Sequence, residues 1–390
     1  NLILVAVPMF IFMGTMLERS GVANDLLNCL QVLLRRVPGG LALSVTIMGT
    51  IMAATTGIIG ASVVMMTLLA LPVMLERDYN PSLATGTIAA SGTLGILIPP
   101  SIMLVIMADL LAISVGTLFL AAIIPGLLLA LIYIIYLYIR TKLNPQLAPP
   151  LPDSMGPKSN AELWLMIFRS FIPPIFLIMC VLGSIFAGIA TPTEAAAVGA
   201  LGSIVLALFN RRLSKTVLKS VTERSALTCA MIFGIFIGAT AFSYVFRSLG
   251  GDDLIHHLVD SLGLGSWGIL FLMMGMCFLL GFFFDWVEIT LIVLPLFAPI
   301  LATLDFGTHI APELIVPWVA VLIAVNLQTS FLTPPFGFAL FYLKGVAPPS
   351  IKIQMIYKGI IPFVILQLIG LSAIISFPEL VMWLPTKLLD

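Results

Sequence analysis

The run Ser91-Gly92-Thr93-Leu94-Gly95-Ile96-Leu97-Ile98-Pro99-Pro100-Ser101 stands inside a long apolar segment. Its two prolines remove N–H donors and stop a helix. Its glycines let the backbone approach a guest closely, and its hydroxyls place further oxygens beside the freed carbonyls. Gln328-Thr329-Ser330-Phe331-Leu332-Thr333-Pro334-Pro335 repeats the scheme. One such break reads equally well as a proline kink whose Ser and Thr bond back to their own helix. Two breaks ask for a common explanation, because they belong to a longer repetition. Gly14, Gly39 and Gly57 recur at unchanged spacing as Gly238, Gly263 and Gly281. Leu71-Pro72 answers Leu294-Pro295, Ile98-Pro99-Pro100-Ser101 answers Thr333-Pro334-Pro335-Phe336, and Ile124-Pro125 answers Ile361-Pro362. Duplicated halves that hold interrupted helices are a recurring plan of secondary transporters.

Composition fixes the solvent. Of 390 residues, 60% are hydrophobic and 9% charged, with a mean hydropathy of +1.17; a soluble domain carries roughly 25% charged residues. Apolar stretches of roughly 17–25 residues, the length that crosses a bilayer, recur along the chain. Backbone groups in lipid must be satisfied within the segment, so these stretches are helices. A barrel would alternate with period two, and residues 127–138 do not. The expected fold is an all-α polytopic membrane protein with inverted-topology structural repeats, each holding a re-entrant hairpin and a broken transmembrane helix. The net charge of zero argues against a nucleic-acid partner and leaves membrane lipid as the surrounding medium. Cys29, Cys180, Cys229 and Cys277 are isolated in apolar surroundings and imply neither disulfide nor metal. The sequence opens at Asn1 inside an apolar run, which reads as an internal start with residues missing upstream.

The first repeat is expected over 1–139: a helix (4–19), a cytoplasmic arm (22–36), a re-entrant hairpin (41–75), a broken helix (82–112) and a helix (113–139). A linker with two connecting helices (163–187 and 192–209) occupies 140–224. The second repeat, 225–390, has a helix (226–247), an arm (252–262), a hairpin (265–304), a broken helix (314–345) and a helix (353–377). Positive charge orients this plan. All 18 lysines and arginines except Arg247 and Lys387 then fall on the cytoplasmic side. Treating the Pro-Pro elements as the hairpins would put the basic loops after 139 and 209 outside. Asp252, Asp253 and Asp260 place the second arm outside, so the halves are upside down and one hairpin enters from each side.

A half-helix that ends at mid-membrane exposes N–H groups at one end, which attract anions. At the other end it exposes carbonyls, which with hydroxyls coordinate a hard cation such as Na⁺. Asp285, deep in the second hairpin, is either a cation ligand or a structural partner, since an unpaired carboxylate there costs several kcal/mol. Glu288 has the same alternatives. Arg247 either meets a substrate carboxylate or snorkels to the interface. Glu194 in Thr191-Pro192-Thr193-Glu194 reads as a helix cap. His256, His257 and His309 form no metal constellation. Without a P-loop, an HExxH or a nucleophile–base pair, neither an ATP-driven pump nor an enzyme is supported.

At these residues the sequence resembles the large membrane (M) subunit of TRAP transporters, the tripartite ATP-independent periplasmic carriers. The resemblance rests on Gly92-Thr93-Leu94-Gly95 running to Ile98-Pro99-Pro100-Ser101, on Ala190-Thr191-Pro192-Thr193-Glu194-Ala195-Ala196-Ala197, and on Phe331-Leu332-Thr333-Pro334-Pro335. Pro8-Met9-Phe10-Ile11-Phe12-Met13-Gly14 is similar to the family's early helix, while its first helix is missing. The resemblance implies Na⁺-driven import of an organic acid across a bacterial inner membrane by an elevator mechanism. It also implies a small four-helix (Q) membrane subunit and a periplasmic substrate-binding (P) protein as partners. By the same resemblance sodium falls to Thr56, Gly57, Gly95 and Pro99 in the first half, with Ser91 and Thr93 alongside. In the second half it falls to Asp285, Thr329 and Thr333, with Ser330 alongside. The substrate falls to Ser62, Ser101 and Arg247. Ser62 stands where many members carry Asp, and Gly60-Ala61-Ser62-Val63-Val64 leans towards 2-oxo or hydroxy acids. A stand-alone ion-coupled anion carrier of the related superfamily, needing no binding protein, is the alternative.

Overall fold

A computed structural model describes the chain apart from residues 1, 2, 58, 151–155, 157, 158, 262, 302, 336 and 390, and apart from the side chains of 55, 56, 252, 256 and 258–260. The described residues are helical, with no strand. In chain order, α1 (Ala6–Arg19) and α2 (Val22–Leu33) meet at a 55° bend. Gly21, at φ 83°, supplies the left-handed residue that this bend requires. Next come α3 (Gly40–Thr56) and α4 (Ile59–Glu76), then α5 (Pro81–Thr93), a 3₁₀ turn at Leu94–Ile96, α6 (Ile102–Leu110) and α7 (Val115–Leu143). The middle of the chain holds α8 (Asn160–Phe186) and α9 (Pro192–Phe209). The order then recurs as α10 (Lys215–Ser248), α11 (Gly251–Ser261), α12 (Ser266–Leu280), α13 (Trp286–Leu301), α14 (Ile315–Leu332), α15 (Phe338–Val346) and α16 (Ile353–Ser376), followed by α17 (Glu379–Leu389). Among the described residues, seven helices are long and apolar enough to cross a membrane, or eight if the bent α1–α2 pair counts as one span.

Helix starts follow from capping side chains. Asn80 Oδ1 accepts from the Ser82 and Leu83 N–H groups at 3.0 and 3.2 Å, with Pro81 at the first helical position of α5. Ser114, Ser159 and Ser214 cap α7, α8 and α10 in the same way. Thr191 and Glu194 form the full capping box read from the sequence, with Glu194 Oε2 accepting from the Thr191 N–H at 2.8 Å. Two elements differ from the sequence reading. The helix expected at 226–247 already begins at Lys215, because the Ser214 cap starts it among basic residues outside the apolar run. The terminal helix α17 was not foreseen: Pro385 interrupts its pattern, and it is held by packing on α7.

Burial sorts the helices into an inner and an outer group. The spanning window at α14 is 89% buried, whereas that of α10 is 11% buried. Polar side chains concentrate inside: Thr85, Thr87, Ser91, Thr93, Gln328, Thr329 and Ser330 are all buried. The outer helices α8, α9 and α10 expose large apolar side chains such as Phe176, Leu201 and Ile237. A bilayer favours this arrangement, because lipid tolerates apolar surface and penalises unpaired polar groups. Small residues permit the tight inner packing. A Cβ on Gly86 of α5 would strike the Gly359 backbone of α16, and one on Gly359 would strike the Ser82 carbonyl.

Candidate functional site

The site is built from two interrupted helices. In an α-helix each carbonyl pairs with the N–H four residues on, so Pro99 and Pro100 withhold the partners of the Gly95 and Ile96 carbonyls. The chain tightens into the Leu94–Ile96 turn, with the Leu97 and Ile98 N–H groups both donating to the Leu94 carbonyl at 3.0 Å. The Ser101 hydroxyl donates to the Ile96 carbonyl at 2.6 Å and so replaces the missing Pro100 N–H. Pro334 and Pro335 withhold the partners of the Ser330 and Phe331 carbonyls in the same way. The Thr333 N–H recovers the Ser330 carbonyl at 3.1 Å. The Phe331 carbonyl lies against Gly337, where a Cβ would approach it to 2.7 Å. Both Pro-Pro peptide bonds are cis.

The two broken helices meet at these points. Gln328 Nε2 of α14 approaches Thr93 Oγ1 of α5 at 3.5 Å. Gln328 is fully buried, and its Oε1 has no hydrogen-bond partner. Each hairpin packs on its own broken helix. A Cβ on Gly92 of α5 would meet Val63 of α4 at 2.5 Å, and Ser62 is buried beside Val63. A Cβ on Gly281, at the end of α12, would clash with Ser330, whose Cβ stands 2.6 Å away. Asn326 of α14 donates to the Met274 carbonyl of α12 at 2.7 Å. Each hairpin also touches the other half: α4 packs on α15 and α13 on α6. Gly60 accepts the face of Tyr342, a Cβ there falling 2.9 Å from the ring. The same phenol lies within electrostatic reach of Asp285 and Glu288. One Glu288 carboxylate oxygen is buried without a partner.

The structure gathers some of the expected residues and separates others. Thr333 donates to the Thr329 carbonyl at 2.8 Å, so these two share one turn at the second break. Ser330 rests on Gly281. Thr93 faces α14, but Ser91 faces α3, where its hydroxyl donates to Thr46 Oγ1 at 3.2 Å. Gly57 lies at the first hairpin tip at φ 59°, against Ile102 just past Ser101. Thr56 closes α3, and its side chain lies outside the described residues. The Asp285 Oδ1 accepts the Trp286 N–H at 2.8 Å. Arg247 stands apart: it donates to the Pro295 carbonyl of α13 at 2.9 Å. Pro299, four residues on, withholds the N–H that this carbonyl would otherwise receive. Gln328 and Tyr342 were not among the residues expected at the site; a glutamine inside an apolar spanning helix was the available signal for the first, whereas only the fold brings Tyr342 to Gly60.

The sequence profile described as "Tripartite ATP-independent periplasmic transporter, DctM component" matches residues 1–380. The chain belongs to this family. It is therefore a TRAP transporter large permease, a multi-pass protein of the bacterial inner membrane and not an enzyme. Transporters of the family work with a small membrane subunit and a periplasmic binding protein. A "C4-dicarboxylate TRAP transporter large permease protein DctM" of Pseudomonas aeruginosa is 31% identical over 389 residues, covering 99% of this chain and 86% of that protein. An "Ectoine/5-hydroxyectoine TRAP transporter large permease protein" of Ruegeria pomeroyi is 30% identical over 384 residues, covering 98% and 85%. In fold the chain is similar to the Alcanivorax borkumensis YdaH transporter, with a TM-score of 0.60 at 17% identity over 95% of this chain and 85% of that one.

Proposed function

We propose that this permease imports a small organic carboxylate coupled to sodium, with substrate delivered by a periplasmic binding protein and moved by an elevator motion. In this reading the two halves are inverted repeats, and the hairpins and broken helices travel together against α1, α8, α9 and α10. The observation that carries the proposal is the meeting of the two breaks, where Gln328 reaches Thr93 and its Oε1 is left buried and unpartnered. An unpartnered buried acceptor costs about 1–3 kcal/mol, and a cation ligand is one way to relieve it. The Gly95 and Phe331 carbonyls, Thr93, Thr329 and Thr333 complete an oxygen-only donor set, the type that suits a hard monovalent ion. The hydroxyl protons of these threonines point into their own helices, which leaves oxygen lone pairs for the ion. The Asp285 carboxylate at the second hairpin tip supplies the charge. The family relatives named for C4-dicarboxylates and for ectoine support a small carboxylate as the class of cargo.

The test is uptake into proteoliposomes holding the permease and its small subunit, with the co-encoded binding protein outside and a panel of organic acids. An inward Na⁺ gradient should drive accumulation. Unchanged transport when choline replaces Na⁺, or full drive by a proton gradient alone, would contradict the proposal. Rapid saturable uptake without the binding protein would favour a stand-alone carrier.

A further inference from the structure

A cavity of about 550 Å³ lies away from the breaks, between α17 and the turns that lead into α14. α16 begins beside Lys352 and Lys358 and runs for 24 residues, about 36 Å at 1.5 Å per residue. That length crosses a hydrocarbon core of roughly 30 Å, so α17 lies at the opposite membrane interface. Its composition agrees. Phe377, Trp383, Leu388 and Leu389 are exposed, Val381, Met382 and Pro385 are buried, and tryptophan and lysine together mark the headgroup layer.

The cavity wall supplied by α17 is one helical stripe: Glu379, Met382, Trp383, Thr386 and Lys387. These positions follow the three-and-four spacing that brings side chains to one face. The stripe carries a carboxylate in its first turn and an ammonium in its last. The Lys387 Nζ stands 4.9 Å above the Trp383 ring. The opposite wall includes Thr308 and His309, and His309 is held in place by a 2.8 Å contact between its Nε2 and the Ile375 carbonyl. We infer that this cavity is a binding site for the headgroup of a zwitterionic aminophospholipid. The phosphate meets Lys387 and the Thr308 hydroxyl, the primary ammonium meets Glu379, and the acyl chains leave over the exposed apolar side of α17. Charge complementarity selects this lipid. Phosphatidylglycerol brings no cation for Glu379, and the quaternary ammonium of phosphatidylcholine has no N–H to donate.

The experiment is native mass spectrometry of the full permease with its small subunit, titrated with dioleoyl phosphatidylethanolamine, phosphatidylcholine or phosphatidylglycerol. The expected result is one tightly held phosphatidylethanolamine, preferred about tenfold over either other lipid, as one lost charge-assisted contact would give. Glu379→Gln should bring that preference close to unity, Lys387→Gln should weaken retention of all three lipids because each carries the phosphate, and Lys352→Gln, at the other end of α16, should leave both retention and preference intact. Thr308→Trp fills the cavity without altering charge and should abolish the bound lipid even if a charge variant folds poorly. Equal retention of the three lipids, a preference that survives Glu379→Gln, or retention unchanged by Lys387→Gln overturns the inference. So does a cysteine at Thr308 that the binding protein shields from a thiol reagent while phosphatidylethanolamine does not, because that outcome gives the cavity to a protein partner.

Discussion

The two breaks share a sequence device and differ in finish. At the first, every residue from Leu94 to Ser101 is buried, and Ser101 closes the gap left by Pro100. At the second, Thr333 and Pro334 are half-buried, Pro335 is exposed, and its carbonyl accepts the Tyr357 hydroxyl at 2.6 Å. The residue that aligns with Ser101 is Phe336, which has no hydroxyl to offer the Phe331 carbonyl. The hairpin tips follow suit: Gly57 is buried, whereas Phe283 and Phe284 are exposed. The two breaks thus share the same proline chemistry, and the serine whose hydroxyl caps the first aligns with a phenylalanine at the second.

The comparison is sharpest if the halves run in opposite directions, and that is the largest effect to seek. Single cysteines at Gln146 and Ser214, in a background lacking the four native cysteines, should resist an impermeant thiol reagent in intact cells. A cysteine at Asp253 should be labelled. Asp253 on the same side as Gln146 and Ser214 would break the inverted arrangement. Next in size is Asp285→Asn, which removes the one carboxylate assigned to the coupling ion. It should raise the Na⁺ needed for half-maximal uptake by at least about tenfold, the equivalent of about 1.4 kcal/mol. A simple hydrogen-bonding role for Asp285 would leave that Na⁺ requirement near the wild-type value.

A smaller effect separates the breaks themselves. Ser101→Ala exposes the Ile96 carbonyl to burial without a donor, which costs about 1–3 kcal/mol and should lower the thermal midpoint in detergent. Phe336→Ser offers the second break the cap that the first possesses. It should raise the half-maximal Na⁺ about threefold by competing for the Phe331 carbonyl. Equal tolerance of both changes would mean that the difference in finish has no consequence. The smallest effect is expected at Arg247. Arg247→Met removes the donor to the Pro295 carbonyl and should cost about 1 kcal/mol of stability, with the substrate concentration for half-maximal uptake unchanged. A large rise in that concentration would restore Arg247 as a substrate ligand.

Much of this architecture was legible because lipid imposes few solutions. Apolar length and the absence of alternation gave the helices, and the Pro-Pro pairs marked both interruptions. The capping box at Thr191 and Glu194 followed from local chemistry alone. The site was legible only in part. Spacing along α5 places Ser91 and Thr93 two residues apart, and helical geometry then sends them to different neighbours, Thr46 and Gln328. Arg247 looked available for a carboxylate because the proline that orphans its acceptor, Pro299, lies on another helix. Tyr342 has no local signal; it reaches Gly60 because α4 of one half packs on α15 of the other.

The claim that the paired breaks hold the coupling ion is tested most directly by equilibrium binding of radiolabelled Na⁺ to the purified permease. The account predicts saturable binding that K⁺ and choline do not displace. Thr333→Val and Thr93→Val should each weaken it, the former more. Absence of saturable binding, or binding that survives both substitutions unchanged, would contradict it.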